Sequence, residues 1–281
     1  MKRNRRAGKF GSRSSGEFEM KMMRMKIAHD ARPQARTLLI ATLITLALWF
    51  LPYTGFLTYP FRLFVTFIHE GGHALAAVLT GSSVQSLSVA IDASGLTETL
   101  TPQGGFFSRF LISSSGYLGT IAFGALLLWL VRRKVKARVV LVGSAFIILG
   151  LTIVFGFIAP LTNLTLQPFT VLSGIAISAG LLAAAKYAGL RAANFLVGFL
   201  AVQCVLNAVF DLKNVLWMSV ATNQQTDAMN MADATGVPAL VWSLVWIGVA
   251  VLILSTAMRA YAVSRKSPSQ PDLPFEDPLE V

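Results

Sequence analysis

Apolar residues run through this chain in blocks of about twenty, separated by short polar or basic breaks. That block length predicts helices that cross a bilayer, not amphipathic helices around a soluble core. The first block runs from Thr37 to about Tyr53, with Pro52 and Gly55 as its exit. The second covers about Phe61 to Thr80 and ends at Gly81. Further blocks fall at about 109–131, 138–158, 168–186, 191–212 and 237–259, and no charged residue occurs between Val139 and Ala185. Residues 82–105 differ in kind. Val84, Leu87, Val89, Ile91, Leu96 and Leu100 are spread among Ser, Thr and Gln, and Asp92-Ala93-Ser94-Gly95 supplies a turn. This alternation predicts a β-hairpin with a polar face. The expected fold is therefore an all-α polytopic membrane protein of about six to seven membrane helices, with a β-hairpin after the second apolar helix.

Composition agrees. The 281 residues are 54% hydrophobic and only 13% charged, where a soluble domain carries about 25% charged residues. A single cysteine, Cys204, excludes an intramolecular disulfide and any multi-cysteine zinc site. The net charge of +11 comes mostly from clusters: eleven of the 24 basic residues lie between Lys2 and Arg36. That distribution argues for a tail on anionic lipid and against nucleic acid. Three regions follow: residues 1–36 as a basic disordered cytoplasmic tail retained in the protein, 37–262 as the membrane domain, and 263–281 as an acidic, Pro-rich tail. Met20–Lys26 reads as an amphipathic basic turn at the membrane surface or as a plain solvated segment.

Most other basic residues sit at Arg132–Arg138, at Lys186 with Arg191, and at Arg259, Arg265 and Lys266. Basic residues favour the cytoplasmic side, so both tails of this multi-pass protein of the cell membrane are expected there. All four clusters share that side only if residues 37–108 cross an odd number of times. One of the two apolar helices, or the hairpin, must then enter the bilayer without crossing it. Irregular backbone at that depth is tolerated only where protein or a water-filled cavity surrounds it.

The second apolar block carries His69-Glu70-Gly71-Gly72-His73, an H-E-x-x-H pattern that holds two of the three histidines. On a helix, positions i and i+4 share a face, so both imidazoles can reach one Zn2+, with Glu70 where a zinc hydrolase keeps its general base. Catalytic zinc takes three protein ligands and keeps one position for water. The acidic candidates for the third are Asp92, Glu98, Asp211, Asp227 and Asp233. Asp211 is preferred, since it alone falls in or at the end of an apolar helix; Asp227 is its rival, although Asp227 and Asp233 read most simply as exposed loop carboxylates. Asp211 also ends a stripe with Gln203 and Asn207 at i, i+4 and i+8. Those amides would orient ligands or substrate, or else join helices by hydrogen bonds. Gly72, with Gly71, would admit a substrate backbone or a neighbouring helix.

His69-Glu-Gly-Gly-His73 with the following Ala-Leu-Ala and the Thr80-Gly81 break resembles the site-2 protease superfamily of intramembrane zinc metallopeptidases. Ser115-Gly-Tyr-Leu-Gly119 and Leu206-Asn-Ala-Val-Phe-Asp-Leu212 are similar to its compact B-like branch. The resemblance covers about residues 60–245. It implies zinc on His69, His73 and Asp211, Glu70 as base, and cleavage of a membrane-embedded protein or peptide. Asp211 departs from the superfamily's better-known Asn-x-x-Pro…Asp-Gly pattern, being followed by Leu212 with no proline before it. The reading is an intramembrane zinc metalloendopeptidase working by zinc-activated water. Competing readings are a zinc-binding membrane scaffold without activity, and a metal or proton transporter. The hairpin edge is expected to hold an unwound substrate segment by strand addition, unless it is a surface hairpin without substrate contacts.

Overall fold

The structure is a computed structural model that describes residues 27–51, 53–101, 105–222 and 225–262. The expected tail segments 1–26 and 263–281, including Met20–Lys26, lie outside the described residues. A short 3-10 turn, His29–Ala31, leads into α1 (Arg32–Phe50), so the first helix starts five residues before Thr37, with Pro33 in its first turn. Then follow α2 (Gly55–Leu79), strands β1 (Ser83–Val89) and β2 (Gly95–Leu100), and α3 (Phe106–Arg132). Helix α4 (Ala137–Leu151) continues through a π-helical stretch, Thr152–Ile158, and a last turn, Ala159–Asn163. The chain closes with α5 (Pro168–Tyr187), α6 (Leu190–Ala221), a short α7 (Asp227–Thr235) and α8 (Ala239–Ala262).

Among the described residues six helical segments are long and apolar enough to span a membrane: α1, α3, α4 with its continuation, α5, α6 and α8. Helix α2 is not among them. Arg62, His69, Glu70 and His73 dilute its apolar character. Before residue 108, α1 is the one described helix with the length and apolar character of a span, and α2 with the hairpin packs against the other helices.

Residue choice explains the local irregularities. Pro160 has no N–H to return to the preceding turn and its ring crowds that turn's carbonyl, and the helix widens to π geometry just before it. The opened turn receives the hairpin: Thr170 Oγ1 on α5 accepts from Val89 N at 2.8 Å, and Asn163 Nδ2 donates to the Gln85 carbonyl at 3.2 Å. The hairpin tip is held by α2, through Tyr59 Oη to Ile91 O at 2.5 Å, Arg62 Nη2 to Asp92 O at 3.2 Å and Thr66 Oγ1 to Ala93 O at 2.8 Å. These bonds satisfy turn carbonyls that hydrocarbon would leave bare.

The two strands pair antiparallel from Ser83↔Leu100 to Val89↔Gly95, with an irregularity between Val84 and Ser86. Strand β1 is buried on α2, α4 and α5, while β2 has β1 on one side only. The core of the bundle is Phe64, Phe67, Leu141, Ile148, Ala193, Leu200 and their neighbours.

Candidate active site

Helix α2 and helix α3 approach each other closely at a glycine on each. A Cβ on Gly72 would collide with the Ser115 carbonyl oxygen, and one on Gly116 would collide with His73 Nε2. The Gly72 position thus serves helix contact, and the glycine of Ser115-Gly116-Tyr117 makes room for the imidazole pair. His73 Nδ1 lies 2.7 Å from the Ile112 carbonyl on α3. A carbonyl only accepts, so Nδ1 carries a proton, and Nε2 is the ring nitrogen left facing His69 and the cleft. That Nε2 is 3.1 Å from His69 Nε2. The His69 ring meets Tyr117 edge-on with centroids 4.6 Å apart, and Tyr117 packs in turn on Trp246, whose indole N–H donates to Ser114 Oγ at 3.1 Å.

The carboxylate that joins this pair is Asp227. Its Oδ2 is 3.3 Å from His73 Nε2 and 3.7 Å from His69 Nε2, and its side chain is 19% exposed. It is thus no exposed loop carboxylate, as its sequence context suggested. Thr226 caps α7, its Oγ1 accepting from Met229 N at 3.3 Å, and Asp227 occupies the first turn. Burial would raise the Asp227 carboxyl, but the two histidines outweigh it and hold the group well below the usual carboxylate range.

His69, His73 and Asp227 each offer one donor atom, all within 4.8 Å of one another. Ligands at about 2.1 Å in tetrahedral array stand roughly 3.4 Å apart, within the 3.1–3.7 Å spacing of these three. The donor set, two nitrogens and one carboxylate oxygen, also suits zinc.

Glu70 is buried beside them and its Oε2 accepts from Thr97 Oγ1 on β2 at 2.8 Å; the same hydroxyl lies 3.1 Å from the Glu70 carbonyl. Gly95 is needed here, since a Cβ would sit 2.6 Å from Glu70 Oε1. A cavity of about 860 Å³ lies in front of these groups, walled by β2, the first half of α3, the last third of α6, and α7.

Asp211 lines this cavity but does not join the three-donor group. Gln203 is fully buried and its Nε2 donates to Thr45 Oγ1 on α1 at 3.2 Å, tying α6 to α1. Asn207 Nδ2 donates to the Gln203 carbonyl and to its Oε1 at 2.8 and 3.0 Å, and Asn207 lines a separate, smaller cavity with Arg62 and Trp49. The stripe Gln203, Asn207, Asp211 therefore divides into one amide that joins α6 to α1, a second that braces it from the same helix, and one cavity carboxylate. The structure places Asp227, the rival candidate, beside the histidines, and adds Thr97, which the sequence did not single out. The signal for Asp227 was present in Thr226 as a helix cap and Gly236 as a left-handed stop, φ 71°.

The described residues thus bring two histidines, a carboxylate and a buried glutamate into one cleft of a bundle of long apolar helices. The sequence model of Peptidase M50B-like proteins matches residues 39–257, and the chain belongs to that family, which is the site-2 protease family. No significant match is found among curated proteins or among solved structures.

Proposed function

We propose that this protein is an intramembrane zinc metalloendopeptidase in which His69, His73 and Asp227 hold the metal and Glu70 is the general base. The observation that carries the reading is the convergence of those three donors next to a buried glutamate, in a cavity large enough for an extended peptide. A zinc ion held there would lower the pKa of a bound water to about 7 and polarise the scissile carbonyl. Thr97 engages Glu70 Oε2 and leaves Oε1 to take the proton of the attacking water and deliver it to the leaving amine. Tyr117 and Gly116 fix the imidazoles. Asp211, across the same cavity, faces the substrate rather than the metal.

Strand β2 supports the means of substrate capture. Its Gly95, Leu96, Thr97 and Thr99 border the cavity, and its edge away from β1 has no strand partner among the described residues. An unwound substrate segment adding to that edge would run past Glu70 toward the histidines. Behind the histidines Phe64, Phe67 and Ile121 are fully buried, which favours a one-sided cleft over a transport path.

The deciding experiment is zinc content of the purified full chain, prepared without chelator. Near one zinc per chain in the wild type and in Asp211→Ala, with loss in Asp227→Ala, is expected. Loss in Asp211→Ala with retention in Asp227→Ala would restore the sequence-based ligand set. A zinc-free wild type would reject the hydrolase.

A further inference from the structure

The two ends of the bundle differ in charge, and the cleft belongs to one of them. At one end the start of the described chain meets the ends of α3 and α8. Ala28 N donates to the Tyr261 carbonyl at 3.0 Å. Arg132 donates to Asp30 Oδ2 at 2.9 Å and to the Ala260 carbonyl at 2.8 Å, and Tyr261 Oη donates to the Leu128 carbonyl at 2.7 Å. The turn from α3 to α4 and the turn from α5 to α6 lie at this end as well, because α4 and α5 are antiparallel and joined at the other end by only residues 164–167. Ten of the thirteen described basic residues gather here: Arg32, Arg36, the cluster Arg132–Arg138, Lys186, Arg191 and Arg259. Arg62, Arg109 and Lys213 are the remainder.

The cleft is built from the opposite ends of the same helices. It uses α3 from Arg109 to Tyr117, α6 from Asp211 to Met218, and α7 in the connection from α6 to α8. No residue of the basic end lines it. Ile112, which orients His73, is six residues from the start of α3, about 9 Å along the helix axis. Six spans return the chain to its starting side, so one orientation puts every basic turn on one face of the bilayer. Short loops rich in Lys and Arg stay in the cytoplasm.

We infer that the cleft opens on the extracytoplasmic face of the membrane, and that its substrates are membrane proteins presenting an extended segment at that face. The second half of this statement rests on the peptidase reading; the orientation itself does not. Residues 164–167 and Thr222, at the cleft end, then lie outside, and the turns at Lys134 and Gly189 lie inside. Acidic residues are consistent with this, since Asp92, Glu98, Asp211, Asp227 and Asp233 all border the cleft or its hairpin.

Thiol labelling of the full chain in intact cells tests the orientation without any need for activity. Cys204 is fully buried and is replaced by alanine as background. Thr165→Cys and Thr222→Cys report the cleft end; Lys134→Cys and Gly189→Cys report the basic end. A membrane-impermeant maleimide is expected to label the first two in intact cells as fully as after permeabilisation, and the second two only after permeabilisation. The reverse pattern would overturn the inference and place the cleft in the cytoplasm. Labelling at both ends, or at neither, in intact cells would overturn it too. Two positions at each end guard against one variant that fails to fold. A zinc-free or inactive protein that still shows the expected pattern would remove the peptidase reading and leave the orientation standing.

Discussion

His69 and His73 can share a ligand because the helix period stacks them, but the tautomer that makes His73 useful is set by Ile112, a backbone carbonyl 39 positions away. Glu70 is likewise legible as a general base from its place beside His69, whereas its hydrogen bond from Thr97 depends on the hairpin folding back on α2. Glu70→Gln is expected to retain zinc and lose activity by roughly 10²–10⁴-fold, the usual worth of a general base; a peptide-cleavage assay beside metal analysis checks it. Thr97→Val removes a hydrogen bond to a charged group, worth ~1.5–3 kcal/mol. It should lower kcat by about tenfold or more with zinc content unchanged, and an unaltered kcat would remove Thr97 from the positioning of Glu70. Zinc added to the metal-free protein should raise its thermal midpoint in detergent, with no rise in Asp227→Ala, since only binding to the folded state stabilises it.

At the scale of elements, the contact of α2 with α3 decides whether the imidazole pair has room. Gly116→Ala would drive a methyl group into His73 Nε2, so the histidines must move or the helices separate. The expected result is loss of zinc with the helical content kept, read by metal analysis and circular dichroism. Gly72→Ala meets backbone instead of a side chain, and is expected to destabilise the helix pair itself. For the hairpin, Val89 and Ile91 are poor probes of strand addition. The structure shifts the test to β2, because Val89 N is engaged by Thr170 and Ile91 O by Tyr59. Thr99→Pro on the open strand should reduce cleavage while zinc stays bound; cleavage at the wild-type rate would argue against substrate pairing on β2.

At the scale of the whole molecule, one buried cation closes the end of the bundle remote from the cleft. Arg132 is 2% exposed and joins Asp30, ahead of α1, to α3 and α8. Removing one partner of a buried pair costs about 3 kcal/mol or more, and Asp30, 30% exposed, places this pair at the lower end. Arg132→Met should therefore lower the thermal midpoint of the detergent-solubilised protein while leaving zinc content intact, since no cleft residue touches it. An unchanged midpoint would show that the connection between chain start and bundle is dispensable.

The amino-acid sequence by itself determined the membrane class, the helix blocks, the hairpin and the H-E-x-x-H pair, because each depends on hydrophobic period, turn residues or spacing within one helix. It also held the cap and stop of α7 in Thr226 and Gly236, although that segment is too polar and short to stand out among spans. Which carboxylate lies beside the two imidazoles is visible only in the tertiary structure. Asp211 and Asp227 both lie near the cleft end of α6, and the choice between them turns on how α7 folds back over α3. The contacts of Gln203 and Asn207 depend on the assembled bundle in the same way: their stripe was visible, but only the packing of α1 against α6 shows that Gln203 reaches Thr45 while Asn207 braces it. Local periodicity reports which face of a helix is polar; what that face meets is a property of the assembled bundle.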